Sequence, residues 1–240
     1  MKFSNGCWLL KEKTECFSPA ELSESIRDNN SIRFCAPTHK IKHRGDTLGG
    51  PNLTIKITAP MPEVLRVQTF HYMGTVDHGP GFELELDENA ALSVEESEKE
   101  YKISSGTLQL TIGKDTAAMQ FNRDNYKLTT SKLGYVKTDY KGLPYEKDNK
   151  DAYMREQLSL SVGELIYGFG EHFTPFVKNG QTVDIWNEDG GTSTEQSYKN
   201  IPFYLSNRGY GIFVNHPEKV SFEVSTELVK KVQFSVQGES

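Results

Sequence analysis

Apolar and polar residues alternate with a period of two along most of the chain, which predicts strands rather than helices. Residues 52–58 place Leu53, Ile55 and Ile57 on one face and Thr54, Lys56 and Thr58 on the other. Residues 63–70, 82–86, 106–112, 153–162, 220–224 and 232–236 repeat the pattern. Turn residues separate the runs: Gly49-Gly50-Pro51, Gly79-Pro80-Gly81, Asn207-Arg208-Gly209 and Asn215-His216-Pro217. Many short alternating strands with turns between them predict an all-β fold with little helix, a β-sandwich or barrel.

Helical signals are few. Residues 18–27 open with Ser18-Pro19-Ala20-Glu21, an N-cap followed by proline at the first helical position. A short helix is expected there, with Leu22 and Ile26 as its only apolar face. Residues 87–100 are acidic and read as a solvated loop leading into a strand. The most polar stretch, 137–151, reads as an exposed hairpin or mobile loop. No repeat or linker interrupts the pattern, so residues 1–240 are expected to form one domain.

Length and charge narrow the function. A chain of 240 residues buries about 70–75% of its extended surface and needs no covalent staples. Its net charge of −6 argues against nucleic acid and against an anionic membrane surface as partners. Cys7, Cys16 and Cys35 are odd in number and lack C-x-x-C spacing, which disfavours zinc or a redox pair and favours free thiols in a reducing compartment. The apolar start at Cys7 to Leu10 stops at Lys11, too short for a secretory leader. No window has the length of a membrane span. A cytoplasmic protein without a cofactor is expected.

Chemistry concentrates in residues 165–206. Two apolar segments, Leu165-Ile166-Tyr167 and 201–205, flank what reads as one long loop. Gly168-Phe169-Gly170-Glu171 lacks the third glycine of a dinucleotide motif and reads as a strand end with close backbone packing. The six histidines form no i, i+4 pair, so no metal is expected; His172 stands out beside the loop. Asp184, Glu188 and Asp189 surround Trp186. A ring for stacking beside carboxylates for hydroxyls suits a sugar. Equally, Trp186 can be core and Asp189 can cap the Gly190-Gly191 turn.

This loop carries a resemblance. Phe169-Gly170-Glu171, Lys178-Asn179-Gly180-Gln181-Thr182-Val183 and the string from Trp186-Asn187-Glu188-Asp189-Gly190-Gly191 to Asn200-Ile201-Pro202-Phe203-Tyr204 resemble the N-terminal β-domain of glycoside hydrolase family 31. Asn207-Arg208-Gly209-Tyr210-Gly211, Val214-Asn215-His216-Pro217 and the opening Met1-Lys2-Phe3-Ser4-Asn5-Gly6 are also similar, within the family, to bacterial α-xylosidases. The resemblance implies a galactose mutarotase-like supersandwich ahead of a (β/α)8 barrel. That barrel holds the two aspartates of a retaining mechanism, so no catalytic residue carries over. Asp189 carries over as a contact to sugar hydroxyls, with Trp186 and Asn187 beside it and Gly190 and Gly191 shaping the loop. Implied partners are α-xylosides or related α-glycosides and the barrel domain, within a homo-oligomeric full-length enzyme. A freestanding carbohydrate-binding module and an aldose mutarotase-like protein are the alternatives.

Overall fold

The computed structural model describes residues 1–6, 9–71, 73, 87, 90–138, 151–188 and 193–238. The expected strand at 82–86, the turn at 79–81, Cys7, and most of the polar stretch 137–151 lie outside the described residues. Among those described, the chain forms seventeen strands and a single 3-10 helix, Arg44–Leu48. Among the described residues no helix is long and apolar enough to cross a membrane. The first strand is β1 (Thr14–Phe17). The chain divides into two compact units, one built from residues 17–132 and the other from 1–16 with 133–238.

The unit of residues 17–132 is a sandwich. Its first sheet runs β2 (Glu24–Asp28), β3 (Ser31–Pro37), β4 (Asn52–Thr58), β5 (Arg66–Phe70) in sequence order. Its second contains β6 (Ser93–Glu96), β7 (Glu100–Ser105), β8 (Leu108–Gly113), β9 (Met119–Arg123) and the start of β10 (Tyr126–Thr138), again neighbour to neighbour. Alternation drives one face of each sheet inward. Ile32, Phe34, Leu53, Ile55 and Ile57 from the first sheet and Ile103, Leu110 and Ile112 from the second are fully buried. The rings of Phe34 and Tyr101 meet at 4.9 Å and join the two layers.

The helix expected over residues 18–27 does not form. Residues 24–28 are β2, paired in register with β3 from Glu24↔Cys35 to Asp28↔Ser31. Ile26 stays half exposed there. A helix offered only two apolar side chains to bury, whereas the two-residue turn Asn29-Asn30 delivers a full ladder against β3.

In the other unit, β1 pairs with β10, and the main sheet runs β13 (Gln181–Ile185), β16 (Val220–Val224), β17 (Lys231–Gln237), β11 (Asp151–Ser159), β10. A second sheet has the order β12 (Ile166–Gly170), β14 (Asn200–Ser206), β15 (Tyr210–Phe213). Phe169 on β12 and Tyr204 on β14 both meet Phe222 on β16, at ring-centre distances of 4.7 and 6.3 Å. All three rings are fully buried, so the two sheets close over one aromatic core. The buried carboxylate of Glu164 ties the smaller sheet together. It accepts hydrogen bonds from the hydroxyls of Ser206 (2.5 Å) and Tyr210 (2.6 Å) and from the Ser161 amide (2.7 Å).

Residues 165–206 are therefore not one loop between two strands. β13 forms inside the stretch and pairs with β16 from Gln181↔Val224 to Ile185↔Val220. The reading as a single loop failed because the Gln181-Thr182-Val183-Asp184-Ile185 alternation is only two apolar residues long and its partner lies far along the chain.

Candidate functional site

The site is built at the junction of β12, β13 and the segment that follows β13. At the end of β12, Gly168 (φ 113°), Phe169 (φ 71°) and Gly170 (φ 89°) form a bulge against β14. A Cβ at Gly170 would stand 2.1 Å from the Lys199 carbonyl oxygen, so only glycine permits this approach. The bulge turns Phe169 into the core and sends Glu171 and His172 to the surface. This is the close backbone packing expected of the Gly-Phe-Gly segment. His172 Nε2 lies 2.8 Å from the Phe169 carbonyl oxygen, and Nδ1 lies 3.3 Å from that of Glu195.

β13 delivers Asp184 and then Trp186. Asp184 accepts a 2.6 Å hydrogen bond from the Ser221 hydroxyl and pairs with Lys219 at 2.8 Å. Burial pushes its carboxyl pKa up, but the hydrogen bonds from Lys219 and Ser221 and the Lys219 charge prevail and hold it below the ordinary value. Trp186 is half exposed. It is not a core residue, which removes one of the two readings of its ring.

The segment after Trp186 is held from its far side. Asn187 makes an isolated parallel bridge with Ser197, and the Glu188 amide donates to the Ser197 carbonyl oxygen at 3.0 Å. Buried Ser197 donates its hydroxyl to the Glu171 carbonyl oxygen at 2.5 Å. Asn200 does most of the holding. Its side-chain amide donates to the carbonyl oxygens of Trp186 (2.9 Å) and Ser197 (2.6 Å) and to Oδ1 of Asn187 (3.1 Å). Asn187 thus spends its side-chain carbonyl oxygen on fixing the loop.

These groups line a small open cleft of about 170 Å³, with His172, Thr174, Asp184, Trp186, Glu188 and Lys219 on its walls. Pockets that enclose a small ligand run to roughly 300–1,000 Å³. The cleft is therefore suited to forming one wall of a larger site. Asp189, Gly190 and Gly191, singled out in the sequence, lie outside the described residues. Trp186 and Asn187 are consecutive in the chain and both are exposed. Asn200, Ser197 and Lys219 were not singled out by sequence reasoning. An asparagine at the first position of an apolar strand was the available signal for Asn200. Among the described residues no cluster of three or more His, Cys, Asp or Glu is placed to hold a metal.

The family model for the glycosyl hydrolase 31 N-terminal galactose mutarotase-like domain matches residues 54–223. The chain belongs to this family. It is 43% identical over 242 residues to the alpha-xylosidase XylQ of Lactiplantibacillus pentosus, a match covering all of this chain and 31% of that protein. It is 39% identical to an alpha-xylosidase of Emericella nidulans, covering all of this chain and 32% of that one. The chain thus spans about a third of the length of these curated relatives. Among solved structures, the cycloalternan-forming enzyme of Listeria monocytogenes superposes with a TM-score of 0.73 at 18% identity, over 94% of this chain and 20% of the other. That likeness is one of fold.

Proposed function

We propose that this chain is the N-terminal β-domain of an α-xylosidase-type glycoside hydrolase, and that its Trp186 segment forms one wall of the sugar-binding site. The observation that carries this reading is the whole-length match to XylQ at 43% identity. The small, open cleft beside a half-exposed tryptophan supports it. On this reading the chain packs on a catalytic barrel, and the barrel supplies the paired carboxylates of a retaining mechanism. Trp186 stacks on the sugar ring. Asp189 accepts hydrogen bonds from its hydroxyls, and Gly190-Gly191 lets the backbone turn beside the ligand. Alone, the chain is inactive. The full-length enzyme is a cytoplasmic homo-oligomer acting on α-xylosides or related α-glycosides.

The test joins this chain to the part of XylQ that lies beyond its matched first third, and measures hydrolysis of an aryl α-xyloside. The joined protein is expected to turn the substrate over, and the isolated chain to show no turnover. A joined protein that folds yet is inert, beside active XylQ, would contradict the proposal.

A further inference from the structure

The aromatic core occupies one face of the main sheet in the second unit, where Phe222 on β16 stands opposite Phe234 on β17. Alternation puts Ser221, Ser235 and Arg155 on the other face. There Arg155 stands opposite Ser235, and Ser235 opposite Ser221. Arg155 is 7% exposed and Ser235 2%. Neither Nε of Arg155 nor Oγ of Ser235 has a hydrogen-bond partner among the described residues. A guanidinium donor buried without an acceptor costs free energy. Nothing in the sugar-site reading uses these groups, and none of them lines the Trp186 cleft.

The guanidinium lies over Gly134 of β10. A Cβ at Gly134 would meet Nη2 of Arg155 at 2.8 Å and Nε at 3.2 Å. The same Cβ would meet Sγ of Cys16 at 3.0 Å. Cys16 belongs to β1, which also pairs with β10. Side chains from two strands beside β10 therefore meet over the bare backbone of one glycine. Gly134 does not have the positive φ that would itself call for glycine. Its missing side chain is what lets the guanidinium and the sulfur share this place. Cys16 is a free, half-buried thiol. Its sulfur is only a weak acceptor, so it leaves the Arg155 donor in need of one. A partly exposed cysteine beside a cation is also the setting in which thiols react, whereas fully buried ones are inert.

We propose that Cys16 is an oxidation site for hydroperoxides, with Arg155 holding the oxidised sulfur. The Cys16 sulfur attacks one oxygen of the hydroperoxide. The S–O bond forms, the O–O bond breaks, and the departing oxygen leaves as an alcohol, or as water from hydrogen peroxide, with the thiol proton. Sulfur gives up two electrons and the peroxide takes them, so the product is a sulfenic acid. Its new oxygen is the acceptor that the thiol lacked, and it forms beside the Arg155 Nε–H. Oxidation thus pairs a donor that the thiol form leaves over. A small thiol can then condense with the sulfenic acid, releasing water and giving a mixed disulfide, which makes the modification reversible.

The experiment treats the 240-residue chain with hydrogen peroxide in the presence of dimedone, which traps sulfenic acids, and reads tryptic peptides by mass spectrometry. Cleavage at Lys13, Arg27 and Arg33 separates Cys16 from Cys7 and Cys35. Cys35 is the internal reference. It is also free and half-buried, but its Sγ is paired with the Asn52 side-chain amide at 3.1 and 3.3 Å. Trapping at Cys16 is expected to run about ten-fold or more faster than at Cys35 in the folded chain, and at about the same rate in urea. Two substitutions separate the guanidinium from the sulfur by different routes. Arg155→Met removes the donors, and Gly134→Ala sets a methyl group where Nη2 and Sγ now meet. Each should bring Cys16 down to the Cys35 rate and leave Cys35 unchanged. Should either variant fail to fold, the folded-to-urea comparison on the parent chain decides by itself. Equal trapping at Cys16 and Cys35 in the folded parent overturns the proposal. So does a Cys16 rate that survives in a folded Arg155→Met or Gly134→Ala protein.

Discussion

The side-chain amide of Asn200 donates a 2.9 Å hydrogen bond to the carbonyl oxygen of Trp186. The same amide holds Ser197 and Asn187, so one residue at the start of β14 closes the segment that carries the exposed tryptophan. The backbone that carries the ring is thus held by side-chain hydrogen bonds from Asn200.

Asn200→Ala should release this segment without unfolding the chain. Losing partly exposed hydrogen bonds of this kind is expected to cost about 1–2 kcal/mol, or roughly 2–8 °C in melting temperature. In a Trp8→Phe background, Trp186 emission should shift toward that of a fully solvated indole. Unchanged emission with an unchanged melting temperature would mean that Asn200 does not fix the loop.

Tyr204 offers the opposite case. It is fully buried between Phe169 and Phe222, and its hydroxyl has no hydrogen-bond partner among the described residues. Burial, with the nearby Tyr210 and Glu164, holds its pKa well above the ordinary tyrosine value. Tyr204→Phe removes an unpaired polar atom and keeps the ring. Stability should stay equal or rise by up to about 1 kcal/mol in urea unfolding. A clear loss would show that the hydroxyl is satisfied in solution.

Asp184 gives a signed pH dependence. Its native carboxyl titrates below the ordinary 3.8, so the folded state favours the charged form. The stability this contributes is complete above that value and is lost as pH falls through the lower native one. Asp184→Asn should therefore lower the urea midpoint at neutral pH, and the gap to the parent should shrink at pH below 3.8. A constant gap across that range would contradict the ion pair with Lys219.

Much of the fold was legible in the sequence, and the reasons are local. β4 and β16 match the bounds read from alternation because each strictly alternates or is wholly buried, and a hairpin partner follows close by. β2 was misread because capping chemistry in Ser18-Pro19-Ala20-Glu21 is a local signal, while pairing with β3 is a tertiary one. The thirteen-residue β10 was missed since Lys127, Thr129, Thr130, Ser131 and Lys132 break any apolar period. In the site, Trp186 was legible as an unusual residue and Asn187 only through the family resemblance. Asn200 and Lys219 were not, because their roles depend on partners distant in the chain, Trp186 for Asn200 and Asp184 for Lys219.

One cooperative unfolding transition is expected for the whole chain. β10 runs unbroken through the boundary between residues 132 and 133, so neither unit can melt without fraying a strand of the other. Calorimetry should give a calorimetric enthalpy equal to the van't Hoff enthalpy. Two separated transitions would show two independent domains.

The most direct test of the central claim is a paired measurement on Asp189→Ala. In the joined protein, kcat/KM for an aryl α-xyloside should fall roughly ten- to hundred-fold, the equivalent of about 1.5–3 kcal/mol for a charge-assisted hydrogen bond to substrate. The melting temperature of the isolated chain should stay within about 2 °C of the parent. An unchanged kcat/KM per folded enzyme, together with a clearly lowered melting temperature, would mean that Asp189 only caps a turn and would contradict the assignment of this loop to the sugar site.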